Sequence, residues 1–392
     1  MKYFSVPSDF KTHTIDRFEE LNNKYEYSTV NETYGQITSG NIVSSGRVTE
    51  VLPEISLTEL ERYIAYSKSR GVGFNYTLNP ACFGNYEFSE RGIREITSFL
   101  RKLNDIGVEN LTLTSPSLME LAQASGGNFK IKASAICEIT SAGKAAFYKK
   151  LGVERVVLDP DITREFEKIR GIYQVFGDGM EIIVNNVCYK NCAYKMFHYN
   201  HDAHCTSQNG TAQEVKDYYF NRCAMQKASD VRSFIRLNWI RPEDLKHYYS
   251  AGIRHFKIQG RQNVLQGDIV KTLEHYMKGD FDGNLFELIT IFAPYNSFQP
   301  YVDNKKLEGY LDSFIKQPGF CKDTCDDCGY CAEYLQRSLN YNSTKNLNEK
   351  AAAFYKGYDR YTKLIHEAAG TRPVRQLFNK TALEQDFGFE QD

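Results

Sequence analysis

Along the first two-thirds of the chain, short apolar runs alternate with longer stretches in which apolar residues recur every three to four positions. The short runs read as strands and the longer ones as amphipathic helices. Strands are predicted at Tyr3–Val6, Gly73–Leu78, Leu111–Thr114, Ile131–Ile136, Arg155–Leu158, Glu181–Val184, Ser233–Leu237 and His255–Ile258. Helices are predicted at Leu57–Ser69, Gly92–Asp105, Ser117–Ala124, Ala142–Leu151 and Glu243–Ala251. Ser89, Ser117 and Ser141 are candidate N-caps, and Pro242-Glu243-Asp244 reads as a helix start.

The helix-to-strand joints share one form. SRGVGF, NDIGVENL, KLGVERVV and SAGIRHF each place Gly after a helix, then an apolar residue, then a strand. Glycine at that position ends a helix in the left-handed conformation. Strand, helix and strand in regular repetition predict a parallel α/β layout, and the repeated joints favour a TIM-barrel-like (β/α)8 core over a two-domain nucleotide-binding pair. No G-x-G-x-x-G follows a strand and no Walker loop is present. The barrel is placed at residues 1–266. Residues 267–392 form a Cys-rich, mostly helical C-terminal extension, with a Tyr/Lys-rich helical stretch near Asn348–Ala368 and an acidic tail at Glu384–Asp392.

Composition narrows the class. The hydrophobic share of 42% is enough for a sizeable core and excludes disorder over the whole chain. A net charge of -1 does not mark a strongly basic nucleic-acid binder. Lys149, Lys150, Lys190 and Lys195, with Tyr189 and Tyr194 interleaved, are a candidate local strip for RNA, a partner that the overall charge does not favour. The N-terminus lacks an apolar signal region, and no run approaches the about 18 apolar residues of a spanning helix. The expectation is a cytoplasmic protein without a membrane partner, where clustered thiols read as metal ligands before disulfides.

Eight of the ten cysteines fall into two quartets. Cys188, Cys192, Cys205 and Cys223 are separated by three, twelve and seventeen residues; Cys321, Cys325, Cys328 and Cys331 by three, two and two. Four gathered thiolates repel one another unless cations neutralise them, and tetrahedral sulfur ligation means zinc or an iron–sulfur cluster. The tight second quartet is similar to ferredoxin-type cluster loops, with zinc as the alternative. Its first three cysteines also spell the C-x3-C-x2-C of radical enzymes, but only 61 residues follow Cys331, too few for a barrel to come. Cys188 follows the apolar run Glu181–Val184, at the strand end where barrel active sites gather. Cys82 and Cys137 stand apart as small core fillers.

His198, His201 and His204 precede Cys205; on a helix they would spread around the axis, so they cannot all face one metal. Lys257, Arg261 and Arg241 follow strand candidates and are positioned to clamp a carboxylate or phosphate, or to form structural ion pairs. Asn75, Asn79, Asn185 and Asn186 end strands, and Asp159 is either an acid/base group or a helix start.

Ala251–Arg261, AGIRHFKIQGR, resembles the AG-x-x-x-x-K-I-E-G-R signature of peptidase family U32. VNNVCYKNC with FHYNHDAHC resembles that family's Cys-rich segment, WIRPEDLKHYY the stretch preceding the signature, and FNYTLNPACFGN an early strand end. The resemblance runs from about Tyr3 to Gly267 and implies a TIM-barrel-like core. It further implies an iron–sulfur enzyme, related to oxygen-independent hydroxylases of tRNA, ribosomal RNA and ubiquinone precursors. Carried over, Cys188, Cys192, Cys205 and Cys223 would ligate a [4Fe-4S] cluster, and Lys257, Gln259 and Arg261 would line the barrel mouth; the second quartet, Cys321, Cys325, Cys328 and Cys331, lies beyond the resemblance and by its own spacing would hold a second cluster or zinc. His198, His204, Lys257, Arg261 and Arg241 are the catalytic candidates, acting on an anionic small molecule or RNA with a possible electron donor as partner. Two departures stand out: Gln259 occupies the usual Glu position, and the first-quartet gaps differ from those of the hydroxylases. The alternatives are a metal-stabilised, collagenase-like peptidase and a non-catalytic iron–sulfur partner subunit. Neither G-x-S-x-G nor H-E-x-x-H is present to support proteolysis.

Overall fold

The computed structural model describes residues 1–42, 47, 51–205, 215, 218–294, 299–344, 347–358 and 360–370. Eight parallel strands close into a barrel in chain order, the last pairing with the first. They are β1 (Lys2–Pro7), β2 (Ser28–Gly35), β3 (Gly73–Leu78), β4 (Asn110–Leu113), β5 (Lys130–Ala133), β6 (Arg155–Val157), β7 (Met180–Ile183) and β8 (His255–Lys257). The outer helices are α1 (Thr12–Lys24), α2 (Leu57–Ser69), α3 (Glu90–Asp105), α4 (Pro116–Ala124), α5 (Ala142–Lys150) and α6 (Phe166–Phe176). After β7 the crossover is elaborated into α7 (Lys195–Cys205), α8 (Tyr218–Ser229), α9 (Arg232–Arg236) and α10 (Leu245–Ser250); α11 (Ile269–Lys278) follows β8.

Local chemistry sets the boundaries. Ser56 and Glu59 form a reciprocal capping box at the start of α2, and Ser89 and Ser141 cap α3 and α5. At α4 the cap is Ser115, not the expected Ser117, because Pro116 takes the first helical position. The four joint glycines, Gly71, Gly107, Gly152 and Gly252, all have positive φ, as the motif requires.

Two elements depart from the periodicity. Ser233–Leu237 is not a strand: Asp230 accepts the backbone N–H of Arg232 at 3.0 Å and starts the turn that becomes α9. Conversely, β2 was not visible as an apolar run. Its STVNETYG sequence is polar, and its Glu32 is nonetheless 3% exposed.

That glutamate belongs to an ionic core. Lys132 of β5 donates hydrogen bonds to Glu32 and to Glu181 Oε2 of β7, the latter at 2.7 Å. Arg155 of β6 stands 3.4 Å from Glu32 and 3.6 Å from Glu181. Burial alone would raise both carboxyls; Lys132 foremost, with Arg155 and Lys257, holds both below the ordinary range.

The barrel's helical layer continues beyond the expected boundary at residue 266. α11 packs beside α1, with Lys24 paired to Glu274 at 2.6 Å. The C-terminal segment is joined to the barrel through Arg164. Its guanidinium donates to the carbonyls of Ile235, Arg236 and Leu237 and lies 5.0 to 5.7 Å from the rings of Tyr310, Trp239 and Phe314. Farther on lie short helices at Cys325–Cys328 and Tyr330–Ser338, then Leu347–Tyr358 and Arg360–Ala369. The acidic tail at Glu384–Asp392 lies outside the described residues.

Replacing Lys132 by Met should destabilise the protein by about 3–5 kcal/mol, because two buried carboxylates lose their shared donor. Urea unfolding at neutral pH checks this; a loss below about 1 kcal/mol would show that Arg155 and Lys257 compensate both charges.

Candidate functional site

A solvent-open cavity occupies the C-terminal mouth of the barrel. β3, β7 and β8 and the segments that follow them supply Asn79, Asn186, Lys257 and Arg261; α7 supplies Tyr199. Among the described residues, Lys257, Arg261 and Arg47 line it, and no aspartate or glutamate does. The described part of the cavity is therefore cationic, which suits an anionic ligand.

Arg261 is 8% exposed, and its Nη1 donates to Gln36 Oε1 at 2.6 Å. Burial brings it down to about 10, so it stays charged at neutral pH. Lys257 is 9% exposed. Its Nζ lies 3.5 Å from the Tyr34 ring centroid and 3.9 Å from Glu181 Oε1, too far for a hydrogen bond. Burial, then the neighbouring Lys132 cation, lowers its pKa to about 7. Asn185 fixes the turn after β8: its Oδ1 accepts Gln259 N–H and its Nδ2 donates to Gln259 O, each at 2.8 Å. The Gln at the usual Glu position lines the cavity and donates to Asn185 O at 3.3 Å.

The first cysteine set adjoins this cavity. Asn186 lines the cavity while its Oδ1 accepts Cys188 N–H at 2.8 Å. Cys188, Cys192 and Cys223 are near enough to act on one another's charge, and Cys188, pushed up mainly by burial, reaches about 11. Lys227 works in the opposite direction on Cys188. Cys205, at the end of α7, has Sγ 3.7 Å from His201 Nδ1. None of the ten cysteines is in a disulfide. Among the described residues, no three His, Cys, Asp or Glu side chains are gathered tightly enough to hold a metal ion as they stand. Donor type and burial suit an iron–sulfur cluster; ligation would require the sulfurs to draw together from this arrangement.

In the second quartet, Cys325 is within electrostatic reach of Cys331 and Cys328, and Cys321 Sγ donates to Asp323 at 3.3 Å. The two cysteine segments touch. Lys190, between Cys188 and Cys192, bridges Glu165 at 2.8 Å and Asp323 at 3.1 Å, and Asn191 donates to Asp323 at 3.5 Å.

Other candidates resolve differently. Arg241 does not line the cavity. Its Nε and Nη2 hold Asp244 bidentately, both at 2.8 Å, and Nη1 donates to Asn304 O, so the structure gives it an architectural place in place of the expected substrate clamp. His198 pairs loosely with Asp202 at 3.6 Å and stacks on Tyr219; burial lowers its pKa. His204 is half-buried on the same helix, and His201, ranked below both on sequence grounds, is the one beside Cys205. Asp159 both starts a helical turn, accepting Asp161 N–H at 2.8 Å, and pairs with Lys195 at 2.6 Å. Lys195 also meets Asp161, and Lys190 is engaged as above, so the candidate RNA strip is largely neutralised. Cys137 is a core thiol pushed up to about 12 by burial. Tyr34, Gln36, Arg47 and the Glu32–Lys132–Glu181 set were missed. The usable signal was the presence of charged residues inside strand-length runs, as in KIKA and MEII.

A closed parallel barrel with a basic cavity and two adjoining cysteine segments at one end defines a TIM-barrel-like protein. The chain belongs to peptidase family U32, which matches residues 44–279. It is 30% identical over 340 residues to an uncharacterized protease of Methanocaldococcus jannaschii, covering 86% of this chain and 98% of that one. It is also similar to a solved U32 peptidase, at 16% identity and a TM-score of 0.48, over 66% of this chain and 92% of that one. A D-psicose 3-epimerase from Clostridium cellulolyticum H10 aligns at 12% identity with a TM-score of 0.35, over 71% of this chain and 96% of that one. Among the described residues, no helix is long and apolar enough to cross a membrane.

The depressed Lys257 sets a pH dependence. Between about pH 7 and the ordinary lysine value of 10.5, the folded chain binds fewer protons there than the unfolded chain. Stability from this group therefore rises with pH across that window. Lys257→Met should flatten the rise, read as the urea midpoint at pH 7 and pH 9; parallel curves for the two proteins would contradict the assignment.

Proposed function

We propose that this chain is a U32-type iron–sulfur enzyme that binds an anionic small molecule in the barrel mouth and carries out cluster-dependent redox chemistry. By family analogy the reaction is oxygen-independent hydroxylation or group transfer. The observation that carries the reading is the adjacency of three cysteines to a cavity whose charged lining, among the described residues, is basic, joined through Asn186. Cys188, Cys192 and Cys223, with Cys205 brought in from α7, would hold a cluster whose chemistry is one-electron transfer. Cys321, Cys325, Cys328 and Cys331 would hold a second cluster or zinc, beside the first through Lys190.

The chain's own groups account for binding. Arg261 supplies guanidinium donors for a carboxylate or phosphate, and Lys257 adds an amine whose charge is adjustable near neutral pH. Tyr199 lines the cavity and lies within electrostatic reach of Cys188. RNA is the less favoured substrate, since Lys190 and Lys195 already face carboxylates.

One observation favours a second reading, peptide hydrolysis: Cys205 and His201 form a thiol–imidazole contact, and the archaeal relative is called a protease. A cysteine peptidase would be inactivated by Cys205→Ser without needing iron.

Anaerobic purification with iron and sulfide quantification separates the two. The expected result is about four irons and four sulfides per occupied quartet, with Cys188→Ser losing the first set. A colourless protein holding zinc alone would contradict the cluster.

A further inference from the structure

Among the described residues, the cations of the barrel interior are unequally partnered. Lys132 donates to two carboxylates and does not line the cavity. Lys257 lines the cavity and makes no hydrogen bond; its nearest carboxylate oxygen, Glu181 Oε1, is 3.9 Å away. That oxygen is itself fully buried and has no hydrogen-bond partner. An amine facing a cavity, with an unpartnered carboxylate oxygen behind it and a guanidinium beside it, is the arrangement needed to capture a carbonyl carbon.

We propose that Lys257 condenses with an aldehyde or ketone that carries a carboxylate, forming an iminium, with Arg261 holding the carboxylate. The inference rests on reading the barrel mouth as the anion site; it does not depend on a cluster. The Nζ lone pair attacks the carbonyl carbon, forming the C–N bond and sending the carbonyl pair to oxygen. A proton passes from nitrogen to that oxygen, giving a carbinolamine. Protonation of its hydroxyl and loss of water break the C–O bond and leave a protonated C=N. The net change is amine plus carbonyl plus one proton giving iminium plus water, with no oxidant or reductant consumed.

The surroundings favour each stage. The amine must carry its lone pair to attack, and burial, then the neighbouring Lys132 cation, favours that form near neutral pH. The product cation forms near Glu181 Oε1, the oxygen left without a partner. Tyr34 covers one side of the nitrogen at 3.5 Å, a face suited to a cation. Arg261 remains charged and uses one donor on Gln36, leaving other N–H groups of its guanidinium for a carboxylate. Glu181 is a positioning residue here, because it touches the amine and not the ligand.

The test is borohydride trapping on the intact chain at pH 7, with glyoxylate as the acidic probe and propanal as the uncharged one. Peptide mapping by mass spectrometry reads the site of the fixed adduct. The expected result is a single glyoxylate adduct on Lys257, at least about tenfold above any other lysine, and absent at that position in Lys257→Arg. Arg261→Gln should cut glyoxylate labelling of Lys257 by about tenfold more than it cuts propanal labelling, the loss common to both probes reading the removed positive charge beside the amine. Label distributed over surface lysines of the wild-type chain, with Lys257 unmodified, would overturn the proposal. Equal labelling of Lys257 by both probes in the wild type would overturn the carboxylate-holding role of Arg261 and the anion-site reading, while leaving the amine's reactivity standing. Metal-free protein should trap as well as cluster-loaded protein, so failure of the cluster reading is seen separately.

Discussion

Lys132, reaching from β5 to Glu32 on β2 and Glu181 on β7, is the interaction on which the rest of the barrel depends. A closed barrel of eight strands is usually filled by branched apolar side chains. Here part of the filling is ionic, and a buried ion set is tolerable only when every charge has a partner. Lys132 and Arg155 answer two carboxylates. The additional cation, Lys257, is left with the weakest contact and sits at the floor of a cavity that contains other basic groups. The chemistry of the mouth thus follows from an imbalance built into the core beneath it.

The same end of the barrel carries the cysteines. The segment after β7 has two duties within a few residues: Asn185 clamps the turn that presents Gln259 and Arg261, and Asn186 orders Cys188. A ligand in the cavity and a metal centre on the cysteines would therefore share one short rigid stretch. Lys190 extends the connection to the second quartet through Asp323. That contact links the family's barrel to a C-terminal segment lying beyond residues 44–279.

Much of the barrel was legible because its signals are local. Apolar runs marked β1 and β3–β8, and left-handed glycines marked the joints. β2 was hidden for the reason that makes it functional: its inward Glu32 is stabilised by Lys132 and Arg155, residues about a hundred or more positions away that no sequence window contains. Ser233–Leu237 looked like a strand because buried helices and buried strands are equally apolar over five residues; Asp230 decided the matter. Arg241 illustrates the converse limit. Its type suited an anion clamp, but Asp244, three residues on, occupies its guanidinium. Lys257 and Arg261 were legible from the K-I-x-G-R pattern, whereas Gln36 and Tyr34, which set their environment, were not.

The central claim is that a metal–sulfur centre and a basic ligand cavity meet at the end of β7. A crystal structure of anaerobically purified protein, with diffraction recorded across the iron absorption edge, tests it most directly. The account predicts anomalous iron density enclosed by Cys188, Cys192, Cys205 and Cys223, beside Asn186 and Tyr199. Iron absent from that position, with the four sulfurs still apart, would contradict it.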